Sequence, residues 1–194
     1  MEATHLGAFV ASRSDEDLDR ALTLLEPRPP GAKPGKEYAD RDWLHRAWSV
    51  REQLPIPAGT EDSCMSIGVP TWLYGHEPPT VFATHIAKYF ANSVREDGLL
   101  ALALHGVVFA PGSAGTTQEI FQDAAQNHYG THGVYSPMIL FGADFWTTTR
   151  PVWPLLAKVA AEERYGELLS LTDSEQDVID QITAFDPAGY RAES

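Results

Sequence analysis

The chain has 194 residues, and its 27 acidic residues against 14 lysines and arginines give a formal net charge of -13. This length allows a sizeable core, and the sequence predicts one domain over residues 1–194. The acidic excess repels nucleic acid and anionic membrane surfaces, so we expect neither as a partner. The single cysteine, Cys64, favours a reducing compartment, so we expect a cytoplasmic protein. The most apolar run, residues 99–110, is shorter than the ~18 residues of a membrane span.

The N-terminal segment predicts two short helices and a loop. The first helix covers residues 3–12. The second begins after Ser14, and Ser14 and Asp17 together resemble a capping pair. The side chains expected to face the core from the first helix are Leu6, Phe9 and Val10. Residues 26–38 are rich in proline and glycine and predict an exposed loop.

A third helix is predicted over residues 39–53, which carry two tryptophans. The side chains near one face of its helical pattern are Trp43, Ala47, Trp48 and Val50. We therefore expect this helix to pack by its tryptophans.

From residue 66 onward, short apolar runs alternate with helical patterns. The predicted strands are residues 66–70, 106–110, 136–142 and 168–171. The predicted helices are Val81 to Glu96, Thr116 to His128, Arg150 to Arg164, and one opened by Thr172 and Asp173. The inward side chains are expected to be Phe82, Ile86, Tyr89, Phe90 and Val94 in the first of these helices, and Val178, Ile179 and Ile182 in the last. This alternation predicts an α/β fold, a mostly parallel sheet with helices on both faces.

The turn FAPGSAGTTQEIF, residues 109–121, is the best candidate for a ligand site. It follows a predicted strand, and ligands of open α/β sheets bind beyond the carboxyl ends of strands. Gly112 and Gly115 allow the backbone to approach a ligand closely. The helix predicted from Thr116 offers free N–H groups and a positive dipole end, which suit a phosphate. Ser113 and Thr116 can add hydroxyl donors.

The same residues allow an interpretation without a ligand. TTQE, Thr116 to Glu119, fits the capping box, in which Thr116 bonds the N–H of Glu119 and the glutamate reaches back to the cap. On spacing alone this cap is favoured over a phosphate site, because motifs this short often match by chance.

A polar stripe follows the helix predicted from Val81, at spacings of three and four residues. Its members are His85, Lys88, Asn92 and Arg95. A solvated helix face explains such a stripe in most proteins. In the functional alternative Arg95 lies near the glycine-rich turn, because the two belong to neighbouring strand–helix units, and Lys88 and Asn92 are candidate substrate contacts.

Two further pairs of polar residues carry weaker signals. His76 and Glu77, in a loop at the carboxyl end of a strand, are candidate substrate contacts, although proline-flanked loops are more often just turns. His128 and His132 have a metal-ligand spacing, but Gly130 breaks the helix that would align them. We therefore predict no metal site.

The segment PGSAGTTQE, residues 111–119, resembles the P-G-G-x-G-T-x-x-E motif of the LONELY GUY family of phosphoribohydrolases and of the related bacterial nucleotide 5'-monophosphate nucleosidases. Three other segments are similar to parts of that family. IGVP resembles the strand before its active-site loop, SVRED the segment with its catalytic arginine, and SPMILFG the strand after its motif helix. The resemblance covers most of the chain from about Ser66 onward.

The resemblance implies a Rossmann-like fold, a homodimer, and hydrolysis of a nucleoside monophosphate to free base and ribose 5-phosphate without metal or cofactor. It implies Arg95 and Glu119 as catalytic residues. The phosphate- and nucleotide-binding residues that it implies are Gly112, Ser113, Gly115, Thr116 and Thr117. A carboxylate can stabilise the oxocarbenium-like transition state of this reaction, and arginine suits the charge on substrate or leaving base.

Two segments depart from the family's pattern. Ser113 replaces the second glycine of the motif, and a left-handed backbone there would cost on the order of 1 kcal/mol. MEATHLGAF resembles the stretch that follows a first glycine-rich nucleotide loop in longer relatives. We therefore expect the chain to start inside its domain, without the opening strand and that loop. Both departures favour an alternative function, that of a non-catalytic protein that senses a nucleotide or phosphate through the same turn. A third possibility is a scaffold in which the turn only caps a helix.

Overall fold

The computed structural model describes residues 2–11, 13–26, 42–71 and 80–192. The chain falls into two compact units, Met1–Asn92 and Ser93–Ser194, and each is described by itself. The expectation of a single domain stays a prediction. Beyond Glu26, the predicted loop of residues 26–38 lies outside the described residues, as do His76 and Glu77.

Three helices open the first unit. They are α1 (Glu2–Val10), α2 (Asp15–Leu25) and α3 (Trp43–Gln53). The prediction for α1 is confirmed, since Leu6, Phe9 and Val10 are buried. The predicted cap of α2 is confirmed as well, because Ser14 Oγ accepts a hydrogen bond from the Asp17 N–H at 3.3 Å.

Helix α3 packs through its smaller residues and through one of its two tryptophans. Ala47 and Val50 are buried, whereas Trp48 is 51% exposed and its Nε1–H donates to Glu52 Oε1 at 2.9 Å. Successive helical residues are rotated by about 100°, so Trp48, next to the buried Ala47, points away from the core. The predicted inward packing is therefore wrong for Trp48, while Trp43 is half-buried against the core.

A short parallel pairing replaces most of the helix predicted over residues 81–96. Strand β1 (Ile67–Gly68) pairs with β2 (His85–Ile86). The Thr84 hydroxyl accepts from the Ser66 N–H at 2.9 Å and donates to the Ser66 carbonyl at 2.8 Å. Such side-chain bonds give the backbone an alternative to the helix, so the apolar spacing of this segment is misleading.

Helix α4 (Asn92–Leu102) therefore begins later than predicted. Arg95 lies in its first turn instead of ending a helix, and His85 lies in β2, so the predicted polar stripe is wrong. Of the side chains expected inward only Phe82 is buried. The others are exposed: Ile86, Tyr89, Phe90 and Val94.

The second unit contains a parallel sheet of three described strands. They are β3 (Val107–Phe109), β4 (Met138–Phe141) and β5 (Leu169–Thr172), in the order β3-β4-β5. All three predicted strands are confirmed. The central strand β4 buries three consecutive apolar side chains, as expected of a parallel strand covered on both faces: Met138, Ile139 and Leu140.

One helix follows each strand of this sheet. They are α5 (Ala114–His128), α6 (Trp153–Ala160) and α7 (Glu175–Ala184). Helix α5 begins two residues earlier than predicted, at Ala114 rather than Thr116. Helix α6 is shorter than the predicted 150–164, since a π-helical turn, Phe145–Thr149, precedes it and a 3-10 helix, Arg164–Leu168, follows it.

Helix α7 is capped differently from its prediction. Ser174 is its N-cap and accepts from the Asp177 N–H at 3.1 Å, whereas Thr172 belongs to β5. Val178 and Ile182 are half-buried as expected, but Ile179 is 53% exposed. The described residues thus form an α/β structure with two small parallel sheets, where the sequence predicts one. Among these residues, no helix combines the length and the apolar character needed to cross a membrane.

Candidate functional site

The loop between β3 and α5 lies at the carboxyl end of the sheet and is tightly packed at one glycine. A Cβ added to Gly112 would come within 2.7 Å of Thr116 Cβ, whereas a Cβ added to Gly115 meets no atom within 4 Å. Neither glycine has a positive φ. Gly112 is therefore needed for space against Thr116, and Gly115 leaves open space at the start of α5.

Trp146 holds this loop to the neighbouring strand. Its fully buried indole donates from Nε1 to the Phe109 carbonyl at 3.2 Å and to the Phe141 carbonyl at 3.0 Å. Gly142, with a φ of 102°, brings the end of β4 against Pro111 of the loop. The carboxyl ends of β3 and β4 are thus joined to one another at this loop.

The start of α5 has free donors and no capping box. Ser113 is the N-cap, with an extended backbone at φ -104° and ψ -156°, so no left-handed strain arises at this departure from the motif. The Thr117 N–H donates to the Ser113 carbonyl at 3.1 Å, and the Thr117 hydroxyl donates to the same oxygen at 3.3 Å. The N–H groups before Thr117 belong to the first turn, which has no helical acceptors. The capping box is wrong, because Thr116 lies inside the helix.

Glu119 faces α4 instead of the start of its own helix. Its Oε1 lies 3.5 Å from Arg95 Nη2, and the same nitrogen lies 3.6 Å from Oε1 of Glu96. Glu96 is only 3% exposed and accepts a hydrogen bond on Oε2 from Gln118 Nε2 at 3.0 Å. The two predicted catalytic residues, Arg95 and Glu119, are therefore brought together, with a buried carboxylate beside them.

The electrostatics of Glu119 follow from this arrangement. Partial burial raises its pKa above the ordinary value, the charge of Glu96 raises the pKa further, and Arg95 opposes both. A carboxyl group with a raised pKa exchanges its proton closer to neutral pH than an ordinary glutamate. This property suits proton transfer or the stabilisation of developing positive charge.

Asp123 lies one helical turn after Glu119 and is buried. Its Oδ1 accepts from Asn127 Nδ2 at 3.1 Å, and Asn127 Oδ1 accepts from the Ser136 N–H at 2.7 Å. Its other oxygen, Oδ2, has no hydrogen-bond partner. Burial raises the pKa of Asp123 to about 7, against the lowering effect of the Asn127 bond.

The remaining residues considered in the sequence are Lys88, Asn92, His128 and His132. Lys88 and Asn92 belong to the first unit, so their contact with substrate stays a prediction. His128 Nδ1 lies 3.4 Å from Glu163 Oε1, and His132 Nε2 lies 2.8 Å from Gln126 Oε1. The two histidines thus have separate partners. Within the described ranges, no three histidine, cysteine, aspartate or glutamate side chains are grouped as metal ligands.

Sequence reasoning missed four residues that shape this site. They are Glu96, Gln118, Asp123 and Trp146. Asp123 had a usable signal, since it lies four residues after Glu119 and so follows it on one helix face. Glu96 had none, because its burial depends on the packing of α4 against α5. Trp146 acts through carbonyl groups of two strands, which no local pattern reveals.

Cavities of the second unit lie away from these residues. One of about 670 Å³ extends from Trp153 on α6 to Leu169 at the start of β5. Another of about 310 Å³ contacts Pro137, before β4, and the end of α7. Glu167 lines both. Neither contains the oriented donors found at the start of α5.

Comparison with models of known protein families and with curated proteins finds no match to this chain. The case for a function therefore depends on the residues and their geometry.

Proposed function

We propose that the protein hydrolyses the N-glycosidic bond of a nucleoside 5'-monophosphate, releasing free base and ribose 5-phosphate. The observation that carries the proposal is the orientation of Glu119. Its Oε1 pairs with Arg95 of α4 at 3.5 Å instead of capping its own helix, α5. A capping role would leave no carboxylate for substrate.

The phosphate is assigned to the start of α5. The N–H groups of its first turn have no helical acceptors, and they coincide with the positive end of the helix dipole. The open space beside Gly115 gives an anion room to approach. The candidate hydroxyl donors are Ser113, Thr116 and Thr117.

Chemistry is assigned to the pair formed by Glu119 and Arg95. Cleavage breaks the bond between C1' and the base nitrogen, water adds its oxygen to C1', and the base leaves with a proton. The Glu119 carboxylate stabilises positive charge on the sugar and orients water or the ribose hydroxyls. Arg95 interacts with negative charge on the substrate or the leaving base. The step needs no metal or redox group.

The proposal extends to the whole arrangement. A Rossmann-like order of strands, a homodimer and a cytoplasmic location accompany the proposed activity. The strand order alone is supported by the structure, through the parallel sheet β3-β4-β5, in which each strand is followed by a helix. In such sheets the ligand lies beyond the carboxyl ends of the strands, where Gly112 and Glu119 are found.

The test is incubation with a panel of purine and pyrimidine nucleoside monophosphates, with released base measured by chromatography. We expect release by the wild type and a loss of about a hundredfold or more in Glu119→Gln, which removes the charge and keeps the shape. Glu175→Gln, at an exposed glutamate of α7, is the matched control and should retain the wild-type rate.

The same panel separates the alternatives. A nucleotide that raises the melting temperature without any base release would identify a sensor that binds through the same loop. The Ser113 substitution does not favour this alternative, because the Ser113 backbone is extended. Absence of both binding and release would contradict the proposal.

A further inference from the structure

We propose that Glu96 is a positioning residue, which together with Gln118 holds the Arg95 guanidinium beside Glu119 in the geometry needed for base release. The inference depends on the proposed function for its consequence in catalysis. It names a residue outside the glycine-rich motif, which acts on the proposed catalytic pair through Arg95.

The position of Arg95 is the first argument. Its Nη2 lies 3.5 Å from Glu119 and 3.6 Å from Glu96, so the guanidinium is shared almost equally. Both distances exceed the 2.7–2.9 Å typical of a charge-assisted hydrogen bond. Arg95 therefore does not form a close hydrogen bond with Glu119, and Glu96 is a second carboxylate that attracts the same nitrogen.

The fixation of Glu96 is the second argument. One carboxylate oxygen faces Arg95, and the other accepts from Gln118 Nε2 at 3.0 Å. At 3% exposure this charge is largely removed from water, so it needs its partners. A carboxylate held at both oxygens has little freedom to rotate, and it therefore fixes the guanidinium that it attracts.

The consequence follows from charge balance. Without Glu96, Nη2 of Arg95 is no longer shared between Glu96 and Glu119, and the Arg95–Glu119 pair is expected to shorten toward an ordinary salt bridge. Arg95 would then hold the Glu119 carboxylate in a salt bridge, and the carboxylate would be less available to the sugar. Substrate binding at the start of α5 would be less affected than the chemical step.

The neighbouring residue on α4 provides a matched control. Asp97 is also a carboxylate that accepts from glutamines of α5, namely Gln122 and Gln126. It is exposed, however, and it lies beside no arginine in the contacts of α4 described above. Asp97→Asn removes the same charge from the same helix without affecting the guanidinium.

The first measurement is the rate of base release against pH. In Glu96→Gln we expect kcat to fall about tenfold or more, and the acid limb of its pH profile to move to lower pH. The reason is that a negative charge near Glu119 is lost and the Arg95 contact strengthens, so Glu119 ionises more readily. Asp97→Asn should leave kcat within about twofold of wild type and the acid limb in its wild-type position. An unmoved acid limb in Glu96→Gln would overturn the proposal, because a merely structural loss leaves it in place.

The second measurement needs no turnover. The Glu119 carboxyl carbon is titrated by NMR in the free protein, with Glu119→Gln used to assign its signal. We expect the titration midpoint to fall in Glu96→Gln and to stay in Asp97→Asn. Equal midpoints in all three proteins would overturn the positioning role. If the midpoint moves but the wild type releases no base, the proposed function fails while the arrangement of Glu96, Arg95 and Glu119 stands.

A conservative variant covers the case in which Glu96→Gln does not fold. Glu96→Asp keeps the buried charge and withdraws it from Arg95 by one methylene. We expect a several-fold lower kcat with a folded protein, about threefold to tenfold. A wild-type rate in Glu96→Asp would contradict the proposal.

Discussion

Two regions of the second unit use carboxylates in opposite ways. Where α4 packs against α5, Glu96 and Asp123 are buried and held by amide side chains. In the segment that leads into β5, Glu162 and Glu167 are exposed and line a cavity of about 670 Å³. The first region has buried charges and oriented hydrogen-bond donors. The second region has a cavity with room for a ligand.

The difference is the reason to expect the site at α5 rather than at the larger of the two cavities. The charge of an exposed carboxylate is screened by water and salt, so it acts weakly on its neighbours. A buried one changes the ionisation of its neighbours, as Glu96 does for Glu119. Specific binding needs a small number of fixed polar groups in addition to space. Chemistry is therefore expected beside α5, and substitutions there should have much larger effects than substitutions at the cavity.

The largest expected effect on stability comes from Asp123. Its pKa is about 7 in the folded protein against an ordinary 3.8, so the native state holds the proton more tightly than the unfolded chain. Stability therefore falls as pH rises through this interval. At about 1.4 kcal/mol per pKa unit, the loss has a ceiling of about 4 kcal/mol. Asp123→Asn should abolish this loss, as measured by urea unfolding at about pH 4.5 and about pH 8.

The control for Asp123 is the exposed carboxylate Asp97 on the same helix pair. Asp97→Asn should keep the wild-type dependence of the unfolding free energy on pH. If Asp123→Asn keeps that dependence too, the buried carboxylate does not differ from an exposed one, and the contrast between the two regions is lost.

Sequence patterns predicted the strands of the second unit and its motif glutamate, but not the buried glutamate of α4. The strands of the second unit were predictable because β-rich apolar runs such as GVVFA and SPMILFG are bounded by turn residues. Glu119 was identified by its motif, and its pairing with Arg95 matches the expected proximity. Glu96 was not identified, since its neighbours in sequence carry no sign of burial.

The segment before α4 shows why other predictions failed. Phe82, Ile86 and Phe90 have helical spacing, yet Ile86 is exposed in β2 and Phe90 is 76% exposed. The hydrogen bonds between Thr84 and Ser66 connect residues far apart in sequence. Periodicity carries no information about such pairing, so tertiary contacts decide the structure there.

The next expected effect distinguishes Gly112 in the loop from Gly115 in the first turn of α5. Gly112→Ala should destabilise the protein by about 1–3 kcal/mol, because its Cβ would overlap Thr116. Gly115→Ala has open space and should leave the free energy of unfolding within about 0.5 kcal/mol of wild type.

Nucleotide binding should respond differently from stability at Gly115. The added methyl group would occupy the space assigned to the phosphate, so Gly115→Ala should weaken nucleoside monophosphate binding by about tenfold or more in calorimetric titration. Unchanged affinity in this stable variant would place the phosphate elsewhere and would weaken the assignment of the site to α5.

The smallest effect is expected at the cavity. Glu167 is exposed and lines both cavities, so Glu167→Gln removes a charge from the larger hollow without disturbing the core. We expect base release and nucleotide affinity to stay within about twofold of wild type, and the unfolding free energy within about 0.5 kcal/mol. A loss of affinity comparable to that of Gly115→Ala would reverse the comparison. It would mean that the hollow before β5 binds the nucleotide, and that the buried carboxylates of α4 and α5 serve the stability of the fold.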